Sequence, residues 1–84
     1  RAMDPLSGRV MECYTDLPGM QFYTANFLTD ELTGKGGAHY DRHHAFCFET
    51  QYYPDAVHKG NFPSPMIKAG QEYKTTTVYK FLVE

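Results

Sequence analysis

Hydrophobic and polar residues alternate along this chain with the two-residue period of a β-strand, and no stretch of useful length carries the period of a helix. Val10 to Thr15 predicts one strand. Leu17-Pro18-Gly19 breaks it, and Met20 to Phe27, rich in Phe, Tyr and Thr, predicts a second. Thr29 to Gly37 reads as a loop, with Gly34, Gly36 and Gly37 close together. Ala45 to Tyr53 predicts a third strand, ended by Pro54-Asp55. After a loop from His58 to Pro65, Met66-Ile67-Lys68 is at most a short strand and Ala69 to Glu72 a turn. Tyr73 to Val83 predicts the last and longest strand, its β-propensity raised by Thr75, Thr76 and Thr77.

Asp4-Pro5-Leu6-Ser7-Gly8 carries strong turn chemistry. Arg1-Ala2-Met3-Asp4-Pro5 is open to reading as a cloning remnant. The turn signal favours a native hairpin instead, with Arg1 to Met3 the stump of a strand and the chain a fragment. Four or five strands at this spacing point to an all-β, antiparallel sandwich or barrel with open edges.

The 84 residues allow one domain at most, and a chain of that size is marginal without further support. Seven Tyr and six Phe with no Trp suit strands and stacking surfaces. A net charge of −2 with scattered basic residues argues against a nucleic-acid or anionic-membrane partner. No apolar run reaches the length of a membrane span. Cys13 and Cys47 belong to no CxxC motif. The expectation is two buried free thiols in a reducing, cytoplasmic compartment, with a disulfide as the alternative.

The third predicted strand carries the clearest candidate chemistry. Phe46, Phe48, Thr50 and Tyr52 fall on one face, the core face; Ala45, Cys47, Glu49 and Gln51 fall on the other. Small neighbours would leave room for a ligand beside Glu49. A carboxylate in a concave, half-apolar place would have a raised pKa suited to acid–base work. Residue type alone leaves a solvated surface carboxylate as the commoner case. Gln21, among aromatic neighbours, has an amide that both donates and accepts, as reading sugar hydroxyls requires; an exposed strand Gln is again the commoner case. His39-x-x-x-His43 has metal-ligand spacing but no supporting cluster, and His39, His43, His44 and His58 read as solvated loop residues. A Glu49–Asp55 pair would fit a two-carboxylate glycosidase, although Asp55 after Pro54 fits a turn better.

Two segments carry a family resemblance. Leu17-Pro18-Gly19-Met20-Gln21-Phe22-Tyr23-Thr24-Ala25-Asn26-Phe27-Leu28 and Phe46-Cys47-Phe48-Glu49-Thr50-Gln51-Tyr52-Tyr53-Pro54-Asp55-Ala56 resemble two specific motifs of the aldose 1-epimerase (galactose mutarotase) family. Ser7-Gly8-Arg9 and Gly70-x-x-Tyr73 through Phe81 fit as well, so the resemblance covers essentially the whole chain as a C-terminal segment, residues 1–84. Ala25 departs from the usual Gly, and Asp41 to Ala45 differ from the common sequence.

The resemblance implies part of a large β-sandwich. It implies an enzyme that interconverts the α and β anomers of aldohexoses such as galactose and glucose without cofactor or metal. It carries the base onto Glu49 and a sugar contact onto Gln21. The family's acid is an upstream histidine, and its arginine, second histidine and aspartate sugar contacts also lie upstream; no motif here matches any of them. The segment is therefore expected to supply the base and to lean on the rest of the polypeptide or on self-association through open strand edges. A non-catalytic carbohydrate-binding β module is the alternative; it would have no need of a carboxylate poised as a base.

Overall fold

The computed structural model describes residues 1–84. Five strands form: β1 (Ala2–Met3), β2 (Arg9–Thr15), β3 (Gly19–Tyr23), β4 (Cys47–Gln51) and β5 (Thr77–Val83). The only helical pieces are single 3-10 turns at Lys35–Gly37 and Ala56–His58. All pairing is antiparallel. One sheet has the order β1-β2-β5 and the other is the β3-β4 pair.

The β1–β2 hairpin is built by its turn. Asp4 accepts from Leu6 N–H at 3.1 Å and from the Ser7 hydroxyl at 2.6 Å, and Gly8 N–H donates to Asp4 O at 2.9 Å. Gly8 has φ 71°, and a Cβ there would meet the Glu84 carbonyl, so the turn requires glycine twice over. Ala2 and Met3 pair with Met11 and Val10, which makes the start of the chain a strand.

Four expected elements differ. The second strand stops at Tyr23 because Ala25 adopts left-handed backbone, φ 57°. The third is confined to Cys47–Gln51. Met66 to Lys68 form no strand. The last strand begins only at Thr77, because Thr75 and Thr76 are drawn off to Asp16: its carboxylate accepts from the Thr75 hydroxyl at 2.9 Å and Thr76 N–H at 3.0 Å.

The two sheets meet through hydroxyls rather than through a core. Thr15, Thr77 and Thr50 form a chain of contacts of 3.2 and 2.8 Å that ties β2, β5 and β4 together. Tyr79 Oη on β5 donates to Phe48 O on β4 at 2.8 Å. Phe22, Phe46 and Phe48 cluster with ring centroids 5.3–6.3 Å apart. An open apolar cleft beside them is lined by Met3, Val10, Met11, His44, Phe46 and Phe81. Only Val10, Ala25 and Ala56 are buried. The radius of gyration is 17.0 Å, against about 12 Å for a compact domain of this length. Phe46, expected on a core face, is 44% exposed.

Candidate functional site

The register of the β3–β4 pair decides which side chains share a face. Gly19 stands opposite Gln51, Gln21 opposite Glu49 and Tyr23 opposite Cys47; Met20–Thr50 and Phe22–Phe48 occupy the other face. The contact of Thr50 with Thr77 directs that second face toward the β1-β2-β5 sheet. Gln21 and Glu49 therefore point the opposite way, together, onto an open surface. Directly opposed side chains of an antiparallel pair have Cβ atoms about 4.5–5.5 Å apart, within reach of neighbouring hydroxyls of one small polyol.

Both groups are free to bind. Gln21 makes only a long 3.5 Å contact from Nε2 to Phe22 O. None of the chain's ion pairs involves Glu49. The enclosure expected around Glu49 is not formed by these residues: the side chain is exposed, as is Cys47, and the main clefts lie elsewhere. An open two-stranded ribbon has nothing above its outer face to make a concavity.

Aromatic rings flank the pair. Gly19 lets the Tyr53 ring lie across the strand, for a Cβ there would come within 2.8 Å of Tyr53 Cδ1. Tyr53 in turn meets Phe62 edge-on at 5.1 Å. At the other end Phe27 N–H donates to Tyr23 Oη at 3.2 Å, and the two rings stack at 6.4 Å.

The long connection between β3 and β4 is pinned at its ends. His43 N–H donates to Ala25 O at 3.0 Å, and His43 Nδ1 lies 2.8 Å from Thr24 O. His39 Nδ1 contacts Asp30 O at 2.8 Å, and His44 Nδ1 accepts from Asp41 N–H at 3.1 Å. Each of these rings is thus tied to nearby backbone. Asp55 has φ 59° and sits 2.5 Å from His58 Nδ1 and 3.8 Å from Lys59 Nζ, a local turn arrangement rather than a partner for Glu49. Cys13 and Cys47 are unpaired, but neither is buried: Cys13 is half-buried, and Cys47 is exposed because it shares the uncovered outer face of the β3–β4 ribbon with Glu49. Sequence reading missed Thr77 and Tyr79 as supports of the site. Their shared face on β5 was legible in the alternation, but the strand they reach was not.

The arrangement is an all-β ribbon presenting an amide and a carboxylate side by side, without metal-type ligand clusters. The sequence profile of the aldose 1-epimerases matches residues 1–80. The chain belongs to the aldose 1-epimerase family. It is 56% identical to galactose mutarotase of Bos taurus over 77 residues, which is 92% of this chain and 22% of that protein. It is 54% identical to the Homo sapiens galactose mutarotase over the same span. It is 30% identical to the aldose 1-epimerase of Escherichia coli strain K12 over 76 residues, 88% of this chain. The chain spans about a fifth of the length of these relatives, 22% in each case.

Proposed function

We propose that these residues form the base-bearing part of an enzyme that interconverts the α and β anomers of an aldohexose, galactose or glucose, with Glu49 as the base and Gln21 as a sugar contact. The carrying observation is that Gln21 and Glu49 are direct cross-strand partners on one exposed face, inside a segment similar to galactose mutarotases.

In this reading the Glu49 carboxylate takes the proton of the anomeric hydroxyl. The O–H electron pair forms the C1 carbonyl, the bond from C1 to the ring oxygen breaks, and its pair is protonated by an acid outside these residues. Rotation about C1–C2 presents the other carbonyl face, and closure reverses both transfers. Each positioned proton transfer is worth roughly 10²–10⁴-fold in rate. Gln21 holds a neighbouring hydroxyl and fixes which oxygen meets Glu49. Two unpaired thiols suit a reducing, cytoplasmic setting.

The test is Glu49→Gln in a polypeptide of the relatives' length carrying these residues, followed by polarimetry of freshly dissolved α-galactose. The variant should bind sugar and lose about 10²-fold or more in rate. A near-normal rate would remove Glu49 from the base role and leave a carbohydrate-binding surface.

A further inference from the structure

Glu49 is flanked along its own backbone by two side-chain contacts from β5. Tyr79 Oη donates to the carbonyl of Phe48, the residue before it, at 2.8 Å. The hydroxyl of Thr77 lies 2.8 Å from that of Thr50, the residue after it. Thr77 and Tyr79 are two apart on β5 and so share a face. Phe48 and Thr50 are two apart on β4, on the face opposite to Glu49. Thr77 meets the Thr50 side chain on that opposite face, and Tyr79 meets the Phe48 carbonyl, which points sideways along the ribbon, so two hydroxyls of one strand hold β4 at the two neighbours of the residue that points forward.

We propose that Thr77 and Tyr79 are positioning residues for Glu49, setting the height and tilt of its carboxylate over the outer face; this rests on Glu49 being the base. The physical case is one of leverage. An exposed carboxylate on a two-stranded ribbon has no side-chain packing to hold it, and its ladder to β3 restrains β4 from one edge only. Cross-strand pairing fixes Glu49 relative to Gln21 but leaves the ribbon free to rock against the other sheet. The Tyr79 bond and the Thr50–Thr77 contact remove that freedom at the two adjoining residues. Thr77 is itself anchored, since Thr15 Oγ1 lies 3.2 Å from it and Leu17 N–H donates to Thr15 Oγ1 at 3.1 Å. The hydroxyl chain thus runs from the exit of β2 through β5 to the residue after the base. A displacement of about 1 Å at a reacting group can cost 10²-fold in rate, so two contacts remote from the sugar can carry a kinetic effect.

The experiment compares Tyr79→Phe, Thr77→Val, Thr77→Ser and Glu49→Gln in a polypeptide of the relatives' length, with Tyr79→Phe also built on Glu49→Gln. Tyr79→Phe and Thr77→Val should each lower kcat about 10- to 100-fold with KM within about twofold and the unfolding midpoint little changed. Thr77→Ser, which keeps the hydroxyl, should restore most of the rate. On the Glu49→Gln background Tyr79→Phe should add nothing, because no base is left to position. If Glu49→Gln is inactive while Tyr79→Phe and Thr77→Val keep normal kcat, the positioning role falls and the base assignment stands. The role also falls if Tyr79→Phe slows the Glu49→Gln enzyme by the same factor as the parent. If Glu49→Gln itself keeps its rate, both fall together.

Discussion

Gln21 on β3 stands directly opposite Glu49 on β4, in the register Gly19–Gln51 through Tyr23–Cys47. Residues 24–46 separate the two strands, so no tight turn dictates that register. It is held by the Phe22–Phe48 pair on the other face, centroids 5.6 Å apart, and by the His43 bonds to Thr24 and Ala25 that close the connection. A slip of one residue would send Glu49 to the opposite face from Gln21. The aromatic pair and the His43 bonds together thus keep amide and carboxylate on one face.

Gln21→Ala removes the amide at an exposed strand position. Sugar affinity should fall by about 2- to 10-fold, the worth of one net hydrogen bond of 0.5–1.5 kcal/mol, with the unfolding midpoint unchanged. Titration calorimetry against galactose, in a polypeptide of the relatives' length carrying these residues, measures it. Unchanged affinity would make Gln21 an ordinary sheet residue.

Ala25 combines φ 57° with 1% exposure. Left-handed backbone costs a residue with a Cβ about 1–2 kcal/mol. Ala25→Gly relieves that strain but gives up about 0.8 kcal/mol of buried methyl and about 0.5–1 kcal/mol of backbone entropy. The terms nearly cancel, so the change should be within about 1 kcal/mol of neutral. Ala25→Val adds branching and volume where neither fits and should cost about 2–3 kcal/mol. Denaturant unfolding of the two variants separates the cases, and equal destabilisation by both would refute the balance drawn here.

Much of this fold was legible in the alternation of residue types, and the misses have specific causes. Val10 to Thr15 is a strand in sequence and in structure because nothing competes for its backbone. Thr24 to Phe27 look equally strand-like, but the turn at Ala25 takes them out of the ladder. Thr75 and Thr76 have strand propensity, yet the Asp16 carboxylate offers them a local alternative. Glu49 and Gln21 were singled out by their motifs. Their pairing across a long connection, and the grip of Tyr79 on Phe48, depend on tertiary register that no local pattern encodes.

Asp16 and Asp4 give the chain an acid-sensitive element. The Asp16 carboxyl is held below the usual carboxylate range by Thr76 N–H and then the Thr75 hydroxyl; that of Asp4 by the Ser7 hydroxyl and then Leu6 N–H. Both pKa values are lowered on folding. Their stabilising contribution is therefore complete above the unfolded value of about 4 and is lost as pH falls through the lower folded value. Asp16→Asn should flatten the acid limb below about pH 4 and let the start of β5 exchange amide hydrogens faster. An unchanged acid limb and unchanged exchange at Thr76 and Thr77 would exclude the Asp16 clamp.

Residues 1–84 on their own should associate and should show little anomer exchange. The accessible surface is 6920 Å², whereas a folded monomer of this mass exposes about 5,100 Å². The excess of about 1,800 Å² is about twice what one partner contributes to a standard protein–protein interface, about 800 Å². It is apolar where it matters: Phe22, Phe46, Phe81, Met3 and Val83 are all 44% exposed or more. Burying these side chains against another copy would add apolar burial to a core that by itself rarely supplies more than about 3–5 kcal/mol. Unpaired edges of short strands rich in Val, Tyr and Phe give a route to pairing. On the proposed reading, with Glu49 as base and the acid outside these residues, only half of the proton transfer is present, so polarimetry should give a rate close to that of buffer. Light scattering on the same sample should report a mass above 9.6 kDa that grows with concentration. A monodisperse 9.6 kDa species exchanging anomers at an enzymatic rate would overturn this prediction on both counts, and would mean that a histidine of this chain serves as the acid.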